Sequence, residues 1–217
     1  MNQFYWMNKE LTQARLYKQK VWILGHIVPG ATTSFTATWH KRYVRSFVDI
    51  LGNFTDIIEM NFFSHLHRDS FRLVYDSDSN LVSSMMLTSS FTPKEDNNPS
   101  FRYLSYNTTS LEINDYCDYY TDLSLASISS PPQWNKEYCF NSAYDMSKLD
   151  YGNLYTALKA GKHNIYDTWY GYYGQLSSEM SNKYTEQDYL CSFPNLDEDT
   201  LGSCMGTKIA HETVERL

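Results

Sequence analysis

A chain of 217 residues is long enough for one domain of ordinary size with an appendage. Apolar residues make up 42% of it, ample for a core, and a net charge of −7 argues against nucleic acid as a partner, which such a surface would repel. No run approaches the roughly 20 apolar residues of a membrane span, and Met1-Asn2-Gln3-Phe4-Tyr5-Trp6 lacks the charged start and apolar stretch of a signal peptide.

Taken in order, residues 3 to 18 predict a helix with Phe4, Met7, Leu11 and Ala14 at helical spacing. A strand from Val21 to Leu24 follows and ends at His26. A second helix is expected over about residues 36 to 51, with Trp39, Tyr43, Phe47 and Ile50 on one face and Gly52 as its stop. The run Ile57–Phe63 reads as a buried strand. Short strands follow at about Phe71–Tyr75, Leu81–Thr88, Phe101–Tyr106, Leu111–Ile113 and Tyr116–Leu123, separated by turn clusters at Asp76–Asn80 and Lys94–Asn98. These are expected to form one sheet with the two helices packed outside it. The Ser- and Pro-rich stretch Ser124–Pro132 marks a boundary, and beyond it the pattern of Trp134, Tyr138, Tyr144, Leu149, Tyr155, Leu158, Trp169 and Tyr170 reads as helical. The fold class is α/β (α+β), and the 19 tyrosines read as packing and surface residues rather than a lipid-facing belt.

Chemistry concentrates where two apolar strands end. His65 and His67 follow Ile57–Phe63, and residues at i and i+2 on a continuing strand point the same way. His26 stands at the end of Val21–Leu24, ahead of the Pro29-Gly30 turn. Imidazole is a common metal ligand, and a loop at a strand end is where layered α/β folds place their sites. The three rings are therefore expected to converge on one pocket. His40, His163 and His211 have no ligand-like neighbours and read as surface or hydrogen-bonded histidines.

The stretch Trp22-Ile23-Leu24-Gly25-His26-Ile27-Val28-Pro29-Gly30, then Trp39 and Tyr43, then Phe62-Phe63-Ser64-His65-Leu66-His67-Arg68-Asp69-Ser70-Phe71, resembles the acid sphingomyelinase family of calcineurin-like metallophosphoesterases. That family usually shows Gly-His-Ile-Pro-Pro-Gly and Phe-Phe-Gly-His-Thr-His-x-Asp-x-Phe. Asn98-Pro99-Ser100-Phe101-Arg102, after Ser90-Phe91-Thr92-Pro93, is similar to the segment that follows them. Order and spacing hold across about the first 120 residues and more loosely to the end.

The resemblance implies half of a metallophosphoesterase β-sandwich over residues 1–123, flanked by helices, and a helical C-terminal region over 124–217. It implies metal-dependent hydrolysis of a phosphodiester or sphingolipid-type substrate, in a secreted or lysosomal full-length protein. His26 and His65 would serve one zinc ion and His67 a second, with Asp69 behind them or structural. It also suggests a disulfide between Cys191 and Cys204; a Cys117–Cys139 bond is expected as well, independently of the resemblance. An even cysteine count and sequons at Asn53 and Asn107 fit a secretory route; four buried thiols are the alternative.

Departures limit what carries over. Val28, Ser64 and Leu66 stand where the family has proline, glycine and threonine, and Ser64 is expected to resist backbone angles that glycine permits. The family's Asp-x-His, Gly-Asp and Gly-Asn-His-Glu motifs, which supply the remaining ligands and the general acid, do not occur here. The chain thus reads as a C-terminal piece of such a hydrolase, inactive alone, or as a non-catalytic remnant or binding module that kept the fold.

Overall fold

The computed structural model describes residues 3–94, 96–126, 130–161, 163–177 and 184–206. His211 and the side chain of His163 lie outside the described residues. Helix α1 (Gln3–Leu16) is held by one face: Leu11 is buried, Phe4, Met7 and Ala14 pack beside it, and Tyr5 and Trp6 remain exposed. Strand β1 (Val21–Ile27) follows. Helix α2 (Lys41–Asn53) begins later than its apolar pattern suggested, because residues 31–38 form a hairpin-like turn instead. There Ala31 pairs with Ala37, and the Thr32 hydroxyl accepts the amides of Ser34 and Thr36. Trp39 therefore lies outside the helix, donating its indole N–H to the Ile27 carbonyl at 3.1 Å. Gly52 does not stop α2 either. It sits inside the helix, and the chain leaves at Phe54, whose ring is buried and whose amide bonds to the Leu51 carbonyl.

The strands divide into two sheets rather than one. β2 (Ile58–Ser64), β3 (Ser70–Tyr75) and β4 (Leu81–Leu87) join β1 in the order β1-β2-β4-β3, with β1, β2 and β4 parallel and β3 antiparallel to β4. β5 (Ser100–Tyr106), β6 (Ile113–Tyr120) and β7 (Asn135–Cys139) form an antiparallel sheet. The two short strands expected around residues 111–123 are one, β6. β7 occupies a stretch expected to be helical, because the four-residue spacing of Trp134 and Tyr138 fits one face of a strand as well as a helix.

The four-stranded sheet is the middle layer. One face carries Phe63, Val74, Met85 and Leu87 against Leu11 and the Val44, Phe47 and Leu51 stripe of α2. The other carries Met60, Phe71, Leu73 and Met86 against Ile113, Tyr116 and Tyr138 of the second sheet. Helices α3 (Phe140–Tyr144), α4 (Tyr151–Lys159), α5 (His163–Tyr173), α6 (Glu186–Ser192) and α7 (Glu198–Met205) close that second core. Phe71 of β3 stacks on Tyr151 at 4.9 Å and on Phe193 at 4.2 Å, so the C-terminal segment packs directly on the central sheet. The Ser124–Pro132 stretch runs between β6 and β7, which pair.

The short helices carry explicit stops and starts. Asp150 caps α4, Thr185 and Asp188 form a capping box on α6, and Asp197 caps α7. Cys117 and Cys139 face each other across β6 and β7 and are disulfide-bonded. Cys191 and Cys204 are bonded as well, joining α6 to α7 with Cα atoms 5.7 Å apart. Tyr116, Tyr138, Tyr144, Tyr151, Tyr173 and Tyr189 are buried in one core, which accounts for much of the aromatic content. Among the described residues no helix is long and apolar enough to cross a membrane.

Candidate metal centre

Because β1 and β2 run parallel, their C-terminal ends arrive together, Ile27 beside Ser64. Between Leu24↔Phe62 and Ile27↔Ser64, β1 uses one residue more than β2, a bulge at Gly25-His26. Bulges re-aim side chains, and this one turns His26 toward the neighbouring strand. Glycine is required at its start: a Cβ at Gly25 would lie 2.4 Å from Cε1 of the buried Phe63 ring. Gly30, at φ 117, is needed for a second reason, since a Cβ there would meet Arg72 Nε at 3.0 Å.

On the β2 side the chain leaves through left-handed steps at His65 (φ 73) and His67 (φ 56). Ser64, expected to be the strained position, ends β2 in ordinary backbone; the positive angles fall on the histidines themselves. The other two departures fill space. Val28 is fully buried, and Leu66 is buried in the core beneath α2.

The structure brings His26 and His65 together, Nε2 to Nδ1 at 3.3 Å, with ring planes 79° apart. Both rings are exposed. His67 is half-buried and turned inward, its Nδ1 sealed from solvent without a hydrogen-bond partner among the described residues. These donors fit a metal. Two nitrogens each about 2.0–2.1 Å from one tetrahedral zinc stand about 3.3 Å apart, and that separation is longer than an ordinary hydrogen bond. The expected convergence of three rings is met by two: among the described residues the ligand atoms of His26, His65 and His67 do not all lie within 4.8 Å of one another, so the orphaned Nδ1 of His67 is a separate donor rather than a third ligand to the same point.

Behind the loop lies a buried ionic network. Arg102 of β5 donates to both carboxylate oxygens of Asp118 on β6, at 2.7 and 2.6 Å, and contacts Asp69 at 2.6 Å. Its guanidinium lies 3.7 Å above the Tyr116 ring. Tyr138 donates its hydroxyl to Asp69 and lies 2.8 Å from the Tyr116 hydroxyl. Burial pushes the Asp69 carboxyl up to about 7, with Arg102 opposing and Asp118 adding to the rise. Burial alone would lower Arg102, but Asp118 and Asp69 outweigh it and raise it well above its usual range. The register shift opposite Asp118 brings Glu137 to the same cluster. Its two oxygens are sealed without partners among the described residues, and burial, then Asp69 and Asp118, push its carboxyl up to about 9.

Asp118 and Glu137 escaped the sequence reading, Tyr138 entered it only as one of the aromatic residues of the C-terminal pattern, and Arg102 only inside a motif. One signal was present: a carboxylate in the middle of an alternating strand, Tyr116-Cys117-Asp118-Tyr119-Tyr120, is disfavoured unless it has a partner. His40 precedes α2 and is exposed, lining the same cleft as His26, Trp39 and Tyr43, its ring paired with Tyr43 while those of His26 and His65 pair with each other. Asn53 and Asn107, the two sequon residues, are exposed. Asp115, Cys117 and Cys139 also cluster within 4.8 Å among the described residues, but the disulfide leaves no thiolate there to bind a metal.

A family profile described as "Acid sphingomyelin phosphodiesterase C-terminal region" matches residues 76–211. The chain is 32% identical over 149 residues to "Sphingomyelinase phosphodiesterase D" of Dictyostelium discoideum, covering 66% of this chain and 34% of that protein. It is 28% identical over 220 residues to human "Cyclic GMP-AMP phosphodiesterase SMPDL3A", and 27% identical over 217 residues to human "Acid sphingomyelinase-like phosphodiesterase 3b". Each human match covers 94% of this chain and 48% of the relative. The chain therefore spans about half the length, or less, of these curated relatives.

Proposed function

The chain belongs to the acid sphingomyelin phosphodiesterase C-terminal region family, and we propose that it is the part of a metal-dependent phosphodiester hydrolase that carries three imidazole ligands. The observation that carries this reading is the 3.3 Å approach of His26 Nε2 and His65 Nδ1 at the ends of neighbouring parallel strands. His26 and His65 would hold one zinc ion, and His67 would offer Nδ1 to a second. Bound there, zinc supplies Lewis acidity toward a phosphoryl oxygen and neutralises its charge.

The chain's own contribution is positioning. The Gly25 bulge orients His26, the left-handed steps orient His65 and His67, and the buried Leu66 between them anchors the loop. The substrate is a phosphodiester of the kind that the relatives' names describe, a sphingomyelin-type lipid or a cyclic dinucleotide. β1 is an edge strand with Leu24 76% exposed, which fits a site completed by further protein covering that edge. Two disulfides and two exposed sequons fit a glycosylated, secreted or lysosomal whole protein.

Zinc titration against a chromophoric chelator tests the ligand set. His26→Ala and His65→Ala should each weaken binding by tenfold or more, and His40→Ala should leave it unchanged. Equal affinity in all four proteins would remove the metal reading.

A further inference from the structure

We propose that Arg102 is a positioning residue for the histidine loop, acting through Asp69; the inference rests on His65 and His67 being metal ligands. Phe63 of β2 and Ser70 of β3 both pair with Leu87, from opposite sides of β4. The loop 64–69 therefore crosses the C-terminal end of β4. Along it, His65 and His67 hold left-handed angles that residues other than glycine resist, so the surroundings must enforce them.

Arg102 sits under that crossing. Its Nη1 lies 3.4 Å from the Leu87 carbonyl, and its Nη2 lies 2.6 Å from Asp69, the last residue of the loop. The arginine cannot swing away. Asp118 grips it through two bonds, the Tyr116 ring covers it, and its side chain is 3% exposed. Asp69 is held equally firmly, its carboxylate by Arg102 and the Tyr138 hydroxyl, its amide by the Tyr173 carbonyl at 3.3 Å. The three-stranded sheet thus reaches across the core to fix the loop that presents the histidines. Lysine, a single point charge, cannot reproduce a fork that serves two carboxylates and a carbonyl at once.

The test compares the wild-type chain with Arg102→Lys, Asp69→Asn and a control, Leu154→Ala, which opens the buried core at α4 away from the site. Nitrogen-detected imidazole resonances report loop geometry without any metal, and zinc titration reports its consequence. In Arg102→Lys and Asp69→Asn, folded by circular dichroism, the His65 and His67 resonances should shift and the contact between the His26 and His65 rings should be lost. Zinc should bind 10–100-fold more weakly, the range found when groups behind metal ligands are removed. Leu154→Ala, although less stable, should keep wild-type resonances and affinity. Should Arg102→Lys fail to fold, the near-isosteric Asp69→Asn carries the comparison. Folded variants with wild-type imidazole resonances would overturn the inference, as would a control that shifts as much as they do. A wild-type chain that binds no zinc would overturn the metal reading instead, and the imidazole resonances alone would then decide the role of Arg102.

Discussion

The ring of Phe63 occupies the space where a side chain at Gly25 would stand, so the bulge that aims His26 exists only because position 25 is glycine. Phe63 is itself packed edge-on against Phe47 of α2 at 6.2 Å and has little room to retreat. Gly25→Ala should therefore cost about 1–3 kcal/mol, as overpacked cores do, and should weaken zinc binding by separating His26 from His65. Adding Phe63→Leu to it should recover part of both losses, because the two residues are in contact and their effects should not add. Denaturant unfolding and zinc titration of the four proteins check this; strictly additive losses would show that the contact is not the cause.

The bond between Cys191 and Cys204 closes a loop with a sequence separation of 13. Restricting the unfolded chain by a loop of that size contributes about 3 kcal/mol. Cys204 is exposed and Cys191 buried, so Cys204→Ser leaves behind a thiol in apolar surroundings that tolerate it. A loss of about 3 kcal/mol in urea unfolding is expected, and a change under about 0.5 kcal/mol would contradict the account.

Glu137 gives the fold a pH dependence of definite sign. Its carboxyl is raised from 4.5 to about 9 in the folded state, so between those values the folded protein holds a proton that the unfolded chain releases. Stability from this group is present below pH 4.5 and declines as pH rises toward 9, by at most about 1.4 kcal/mol per pH unit. Glu137→Gln removes the titration. Its advantage over wild type should grow from pH 5 to pH 8 to on the order of 1–3 kcal/mol, the usual penalty of an unsatisfied buried group. Parallel stability curves for the two proteins across that range would refute the assignment.

Turnover is the fourth expectation. The three imidazoles proposed as ligands bring with them no bridging carboxylate and no positioned acid for the leaving group, and general acid help alone is worth about 10² to 10⁴ in rate. The 217-residue chain should hydrolyse a chromogenic phosphodiester negligibly with zinc present, and should do so measurably when joined to a matching N-terminal half. Robust hydrolysis by the chain alone, abolished by His65→Ala, would place the catalytic apparatus within these residues.

Local pattern was enough to find the strand-ending histidines, the apolar face of α1 and most strand positions, because each is a short-range periodicity between neighbours in sequence. Pattern failed where spacing was ambiguous or a turn competed. Trp134 and Tyr138 suit a strand as well as a helix, and the Thr32 hydroxyl draws the Ser34 and Thr36 amides into a turn where the apolar pattern placed the start of α2. The backbone strain expected at Ser64 lies at His65 and His67 instead, since the loop's direction is set by where β3 must pair with Leu87.

Tertiary structure alone decided the rest. His26 and His65 are 39 residues apart, and only the parallel register of β1 on β2 and the extra residue at the bulge bring their nitrogens within 3.3 Å. Nothing near Arg102 in the sequence names Asp69 and Asp118 as its partners; they come from another sheet and another strand. The raised carboxyls of Asp69 and Glu137 have the same origin, because desolvation depends on how completely distant parts of the chain close over a group. The sequence by itself determined which residues could do chemistry and roughly which elements carry them. Packing determined which of them meet, because register and burial are set by contacts between segments that no local period encodes.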